Sequence, residues 1–225
     1  MNSNRRRNLF LLGSIFLALL PLLRPANATT KGLSQIVTPD LQKTGELSLS
    51  FQAQSRSIGN PYELQGELGL NSWAEVAVFQ GFSPGEVIFA SEMGLIQNEP
   101  YLLSAGFLSL STSGSRMQPF IEGGYYTEHD KWMAGGIYAT QTEVLLGWAH
   151  DFDTHWRVQI DFQSGTENFS TLGFTYTLND RFQFNPAVYF SNASFGDVSG
   201  YGVITYSLPV WKRPEENVHS APKAL

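Results

Sequence analysis

Polar and apolar residues alternate along most of the chain from residue 46 onward. The alternation is clearest in residues 155–163, where every second side chain is apolar and its neighbours are polar or charged. Such a period of two indicates a β-strand with one apolar face. Three other segments show it almost as clearly, namely 46–54, 171–178 and 181–190.

Weaker alternation marks eight further segments. They are 62–70, 73–82, 86–96, 101–111, 118–128, 131–140, 142–151 and 200–211. About twelve strands of roughly ten residues would fill well over half of the chain, far above the roughly 20–25% strand of an average globular protein. The pattern therefore predicts an all-β fold.

The predicted connections between strands alternate between short and long. The short ones place Asn or Asp at a tight turn with an aromatic residue soon after it, as in Asn71-Ser72-Trp73. The longer ones are 55–61, 111–117, 165–168 and 191–199. Short turns at one end, longer loops at the other and an even number of strands are typical of transmembrane barrels. We therefore predict a transmembrane antiparallel up-and-down β-barrel of about 12 strands.

The polar positions indicate which way the apolar faces point. A soluble barrel would present many lysines to water, whereas the polar positions here are mostly Ser, Thr, Gln, Gly, Tyr and Glu. This mixture suits a wet, confined lumen, so we expect the apolar faces to contact lipid. Aromatic residues near strand ends, such as Trp73, Trp132 and Trp156, are placed where interfacial belts belong. A soluble β-sandwich or lipocalin-like barrel is the alternative, because it has the same period.

The first 28 residues combine the three parts of a secretory signal peptide. Residues 5–7 are three arginines, residues 9–23 are mostly apolar, and Ala26-Asn27-Ala28 is a small-x-small cleavage site. An uncleaved membrane anchor is the alternative, but an apolar run interrupted by Pro21 is short for roughly 30 Å of hydrocarbon. We therefore predict cleavage after Ala28.

These signals divide the chain into four parts. We expect a signal peptide (1–28), a periplasmic N-terminal lead-in (29–43), the transmembrane β-barrel (44–211) and a flexible polar C-terminal tail (212–225). The expected location is the cell outer membrane, reached through the periplasm. Outer-membrane lipid and the barrel-assembly machinery are the partners that this route implies, and the oligomeric state stays open.

Charge and cysteine content exclude several classes of protein. Four of the 14 Lys and Arg residues lie in the first 28 residues and none of the 20 Asp and Glu residues does, so the remainder carries a net charge of −10. Nucleic acid is therefore not expected as a partner. The chain has no cysteine, which excludes disulfides, thiolate metal sites and a cysteine nucleophile.

If the apolar faces point outward, the lumen receives many carboxylates and few bases. The acids are Glu46, Glu63, Glu67, Glu75, Glu92, Glu122, Glu143 and Asp161, and the bases are Arg157 and Arg181. Because a dry core would hold these acids only at a large desolvation cost, they indicate water or cations inside. We predict a cation-favouring solute path along these residues, with Gln159 and Thr175 also facing water. The alternative is a closed lumen in which the acids pair with the arginines, Gln159, Gln163 and tyrosines.

The four histidines give little support to a metal site or to catalysis. None pairs as His-x-x-x-His, so we expect no metal and no cofactor. Outer-membrane lipid hydrolases carry a serine two residues after the catalytic histidine, and those positions hold Lys131, Phe152, Arg157 and Ala221 here. We predict no enzymatic activity and no catalytic residues. His150 beside Asp151 is the best candidate for a dyad if the prediction is wrong.

The chain resembles small outer-membrane barrels of Gram-negative bacteria described as transporters, including the family linked to meta-pathway phenol degradation. The resemblance covers most of 45–211 and rests on the strand-turn-strand cadence, the lead-in Thr38-Pro39-Asp40-Leu41 and the turn Leu178-Asn179-Asp180-Arg181-Phe182. Such barrels usually end at a terminal aromatic residue, whereas this chain continues past Trp211. The resemblance implies a channel or transporter for small solutes. An outer-membrane lipid-modifying enzyme and a closed structural or adhesion barrel are the alternatives.

Overall fold

The computed structural model describes residues 32–112 and 117–211, which form twelve β-strands. The strands are β1 (Glu46–Gln54), β2 (Tyr62–Asn71), β3 (Ala74–Phe82), β4 (Gly85–Asn98), β5 (Tyr101–Ser111), β6 (Gln118–Tyr126), β7 (Asp130–Tyr138), β8 (Thr142–Asp151), β9 (Trp156–Gln163), β10 (Phe169–Asn179), β11 (Phe182–Ser191) and β12 (Val198–Pro209). Each pairs antiparallel with its sequence neighbours, and β1 also pairs with β12. The predicted closed, all-β, twelve-strand barrel is confirmed.

The apolar face of the barrel points outward, as the polar composition of the other face predicts. Val78, Ile160 and Phe184 each leave more than two fifths of their surface exposed, whereas Gln159 and Asn185, on the opposite face, are 1% exposed. The strands are 8 to 14 residues long. This range includes the roughly 9–11 residues that a tilted strand needs to span a membrane. A belt of apolar side chains around a polar interior is the surface that a bilayer requires.

The short turns at one end of the barrel are stabilised by their Asn and Asp side chains. Asn71 accepts a hydrogen bond from the backbone N–H of Trp73 at 2.8 Å. Asp153 accepts from the N–H groups of His155 and Trp156 at 2.7 and 2.9 Å. These two bonds lower the pKa of Asp153, because they favour the charged carboxylate. The turn chemistry read from the sequence is therefore confirmed at this end, called the short-turn end below.

Aromatic residues surround both ends of the barrel on its outer face. At the short-turn end Trp132 and Trp148 lie with ring centroids 6.0 Å apart, and Trp156 lies 4.6 Å from Tyr176. At the opposite, long-loop end Phe51 stacks on Tyr62 at 6.4 Å. These positions fit the two membrane interfaces, where rings with one polar edge are favoured. No helix in the described residues is long and apolar enough to cross a membrane.

Residues 32–43, called the luminal segment below, lie inside the barrel. The sequence predicts a periplasmic lead-in over 29–43, whereas the structure buries Leu33 and Ile36 against the inner wall. A Cβ atom on Gly147 would lie 2.7 Å from Leu33 Cδ1 and 2.9 Å from Ile36 Cδ1, so this glycine provides the space for both side chains. The segment enters because its apolar residues find an apolar surface there. The predicted signal peptide and tail lie outside the described residues.

Candidate functional site

The lumen is filled on one side by the luminal segment and its apolar contacts. Leu33 and Ile36 pack in one cluster with inward-facing residues of β5 to β8, which are Leu102, Phe120, Tyr126, Met133, Ile137, Leu145 and Ala149. Burying these side chains removes apolar surface from water, which stabilises the arrangement. The wet lumen predicted from the sequence is therefore dry over this part of the wall.

A buried carboxylate on β9 holds the start of the luminal segment. Asp161 Oδ2 accepts hydrogen bonds from the backbone N–H groups of Ser34, at 2.7 Å, and Gln35, at 3.3 Å. Gln159 donates to Ser34 Oγ at 3.1 Å, and the Tyr189 hydroxyl donates to the Ser34 carbonyl oxygen. Because a buried charge needs such donors, Asp161 serves here as an anchor for backbone amides.

The middle of the luminal segment is held nearer the short-turn end. The Tyr126 hydroxyl donates to Asp40 Oδ1 at 2.6 Å, and Lys131 Nζ lies 3.8 Å from Asp40 Oδ2. Gln97 donates to the carbonyl oxygen of Pro39 at 2.7 Å. Polar contacts from three different strands therefore fix the segment along the inner wall.

A cavity of about 450 Å³ lies between residues 32–37 of the luminal segment and strands β1 to β4, and we call it the acidic chamber. It extends from Ile58 and Asn168, near the long-loop end, to Glu75 and Glu92, which are paired in register near the short-turn end. Five glutamates line it, namely Glu63, Glu67, Glu75, Glu92 and Glu167. None of the described residues that line it is Lys, Arg or His. The described lining of the chamber therefore gathers carboxyl groups without a basic side chain among them.

The structure divides the predicted inward acids into two groups. Glu63, Glu67, Glu75 and Glu92 line the acidic chamber, whereas Glu122, Glu143 and Asp161 lie outside it. Glu143 accepts hydrogen bonds from Gln163 at 2.7 Å and Asn168 at 2.9 Å. Glu122 is almost fully buried in the wall of β6. Glu46, also buried, accepts a bond from Gln42 of the luminal segment at 3.1 Å.

Neither Arg157 nor Arg181 is among the described residues that line the acidic chamber. Arg157 forms a bidentate ion pair with Asp151, with N···O distances of 2.6 and 3.1 Å. Arg157 also lines a separate cavity of about 590 Å³ at the short-turn end. Arg181 lies 3.4 Å from the Tyr206 hydroxyl. The pairing of Arg157 with Asp151 differs from the closed lumen considered from the sequence, in which the arginines pair with the inward acids.

Gln159 and Thr175 differ from the water-facing positions expected for them. Both are almost fully buried, and Thr175 donates to Gln159 at 3.2 Å beneath the luminal segment. Sequence reasoning placed them on the inner face, which is correct, but the inner face here contacts protein. Periodicity reports which face a residue belongs to and carries no information about what that face contacts.

Among the described histidines, His150 pairs with a carboxylate other than the one considered from the sequence. His150 Nδ1 lies 3.0 Å from Asp130 Oδ1, whereas its sequence neighbour Asp151 pairs with Arg157. Trp148 Nε1 also donates to Asp130, at 3.1 Å. Within 32–112 and 117–211, no three His, Asp or Glu side chains are grouped as a metal site would require. The dyad considered from the sequence, His150 with Asp151, is therefore not formed.

Many residues that line the chamber were not predicted from the sequence, among them one acid and three aromatic residues. Glu167 lies in the loop between β9 and β10, and Phe169, Tyr189 and Tyr201 contribute aromatic rings. Tyr189 and Tyr201 lie with centroids 5.5 Å apart. Tyr189 occupies one of the alternate positions of β11 that face the lumen, so the alternation of that strand could have predicted its inward position. Glu167 carries no such signal, because loop residues have no fixed period.

Comparison with known proteins shows the fold. No protein-family model matches the chain, and no curated protein matches it in sequence. A solved KdgM porin matches with a TM-score of 0.53 and 10% identity, over 71% of this chain and 98% of that one. A KdgM porin in complex with disordered oligogalacturonate matches with a TM-score of 0.51 and 9% identity, over 72% of this chain and 98% of that one. The chain therefore has a porin-like barrel fold. The finer resemblance to meta-pathway phenol-degradation transporters stays a prediction.

Proposed function

We propose that the protein is an outer-membrane channel for small solutes that favours cations. The observation that carries this proposal is the acidic chamber, in which five glutamates face a cavity of about 450 Å³. Cavities of a few hundred Å³ accept small molecules. The porin-like fold supports passage through the lumen, and the outward apolar faces support a membrane location.

The preference for cations follows from charge in a confined space. The barrel wall and the surrounding lipid have a low dielectric constant, so the field of the chamber glutamates is focused along the lumen. Cations are then concentrated and anions excluded. One structural neighbour is a porin in complex with oligogalacturonate, which is a polyanion. A chamber lined by glutamates disfavours a polyanion, so we expect the solute of this protein to differ.

A closed structural barrel is the second candidate, and the luminal segment favours it. This segment and its apolar cluster fill part of the lumen with well-bonded protein. The two candidates differ in one measurable property, because only a channel conducts ions. A lipid-modifying enzyme has less support, since the positions two residues after the described histidines hold Lys131, Phe152 and Arg157 where the lipid hydrolases carry serine.

Ion selectivity of the exported protein in planar bilayers tests the proposal. Reversal potentials are measured under a salt gradient for the native protein and for a variant with Glu63, Glu67 and Glu92 each changed to Gln. The matched control changes Glu99 to Gln and Asp197 to Asn, because both are exposed carboxylates in loops outside the chamber. We expect cation selectivity in the native protein and in the control, and a clear loss of it in the chamber variant.

Salt concentration provides a second measurement. The screening length is roughly 10 Å at 0.1 M and roughly 3 Å at 1 M, so selectivity that arises from the chamber charges should fade as salt increases. A native protein that conducts without selectivity would show that the chamber does not lie on the conduction path. A native protein that never conducts would favour the closed structural barrel.

A further inference from the structure

The luminal segment is bonded to the wall at Gln42 and lies close to it at Lys43. The backbone N–H of Gln42 donates to Glu75 Oε2 at 2.5 Å, and its side-chain amide donates to Ser48 Oγ at 2.7 Å and to Glu46 Oε1 at 3.1 Å. One residue thus joins the segment to β1 and β3, and its side chain is buried.

Gln42 is in contact with residues of two cavities. On one side lies the acidic chamber, whose lining includes Glu75, the partner of the Gln42 backbone. On the other side lies a pocket of about 360 Å³ at the short-turn end, whose lining includes Gln42 and Lys43 themselves. Gln42 therefore lines this pocket, called the turn-end pocket below, and is bonded to a glutamate that lines the chamber.

A glycine on β2 allows the backbone of residues 42 and 43 to lie close to the wall. A Cβ atom on Gly69 would lie 2.5 Å from the carbonyl oxygen of Gln42 and closer still to that of Lys43. Both neighbours are backbone atoms, which cannot rotate away as a flexible side chain does. Any side chain at this position would therefore push residues 42 and 43 off the wall.

We propose that Gln42 and Lys43 form the constriction of the solute path, and that their distance from β1 to β3 sets the conductance. The inference rests on the proposed function, since it describes a pore. Solutes cross along β1 to β4 through the acidic chamber, pass this constriction and leave through the turn-end pocket. The remainder of the luminal segment stays in place, because Asp161 and the apolar cluster hold it on the opposite wall.

Two pairs of variants test the constriction in single-channel recordings of the exported protein. Gly69→Ala displaces the backbone of residues 42 and 43, and its control is Gly66→Ala on the same strand, where a Cβ atom would meet only Leu49 Cδ2 at 3.7 Å. Gln42→Ala removes the two side-chain hydrogen bonds, and its control is Gln159→Ala, which removes a bond to the far end of the same segment. We expect a severalfold higher conductance for Gly69→Ala and Gln42→Ala, and native conductance for both controls.

A labelling experiment keeps the inference testable if Gly69→Ala fails to fold. The chain has no cysteine, so Gln42→Cys supplies a single thiol at the constriction. Addition of a bulky thiol-reactive reagent during recording should reduce the current of Gln42→Cys to a small fraction of its starting value. The same reagent should leave the current of a Gln159→Cys control unchanged.

The outcomes separate this inference from the proposed function. A conducting, cation-selective native protein whose conductance is unaffected by both Gly69→Ala and Gln42→Ala would overturn the constriction and leave the channel intact. Equal increases in Gln42→Ala and Gln159→Ala would show that the whole segment moves, which also overturns it. Absence of conductance in the native protein and in every variant would overturn both proposals.

Discussion

An arginine on the outer face of the barrel is expected to destabilise it far more than an arginine in the acidic chamber at the same level. Val78 is the central residue of β3 and leaves 42% of its surface exposed on the outer face. Gln65 lines the chamber, and its register partner is Phe79, the next residue along β3. The two positions therefore share one depth in the membrane and differ in what surrounds them.

The expected magnitudes follow from the two environments. A lipid-facing arginine near the bilayer midplane costs roughly 2–4 kcal/mol, which corresponds to a factor of roughly 30–700 in the folding equilibrium. Gln65 donates to Gln52 and Glu63 at 2.6 and 3.3 Å. An arginine there loses these two bonds and gains the attraction of Glu63 and Glu67, so we expect a change of about 1 kcal/mol or less.

Guanidinium unfolding of the barrel in phosphatidylcholine vesicles, followed by tryptophan fluorescence, measures both costs. Val78→Arg is compared with Val78→Ala, which separates the charge from the loss of apolar surface. Gln65→Arg is compared with the native protein. Equal costs for the two arginines would refute the reasoning, because they would show that the apolar face of β3 contacts something other than lipid.

Three further predictions concern the ends of the chain, the luminal segment and the turns. Intact-mass measurement of the exported protein should show a chain cleaved after Ala28, and a mass that includes the first 28 residues would contradict it. Asp161→Ala should lower the free energy of unfolding by roughly 1–3 kcal/mol and speed hydrogen exchange of the Ser34 amide, because it leaves buried N–H groups without their acceptor. An unchanged exchange rate would show that Asp161 does not anchor the luminal segment. Asp153→Ala should lower the free energy of unfolding at neutral pH. The difference between the variant and the native protein should disappear as the pH falls below 3.8 and through the lowered pKa of Asp153 in the folded state, because the carboxylate is then protonated. A difference in unfolding free energy that persists in acid would exclude the carboxylate as its source.

Strand positions could be predicted because the two sides of the wall differ in polarity. The predicted strand over 86–96 corresponds to Gly85–Asn98, and the one over 200–211 corresponds to Val198–Pro209. Errors of a few residues arise at strand ends, where aromatic belts and turns replace the alternation. The turn residues Asn71, Asp153 and Asn179 were readable as well, because each bonds backbone within three residues of itself.

The position of the luminal segment could not be predicted from periodicity. Residues 32–43 form no strand, so they carry no face that points in or out. A weaker signal was present in the wall. On β6 and β8 both faces are apolar at Phe120-Ile121 and Leu145-Leu146, and Phe120 and Leu145 prove to be the residues that face the segment. Loss of alternation in a transmembrane strand can therefore indicate that its inner face packs on protein.

The inward carboxylates act differently according to what faces them. Asp161 and Glu143 receive N–H donors from the luminal segment and from amide side chains, so their charges are compensated within the wall. Glu63 and Glu67 face a cavity, where water or a solute completes their surroundings. From the sequence alone these acids form a single group, because the only property that they share is an inward-facing position in the alternation of their strands. The structure separates acids that bond protein groups from acids that line the chamber, and Glu75 belongs to both sets. In the channel that we propose, the chamber glutamates are the ones that select ions.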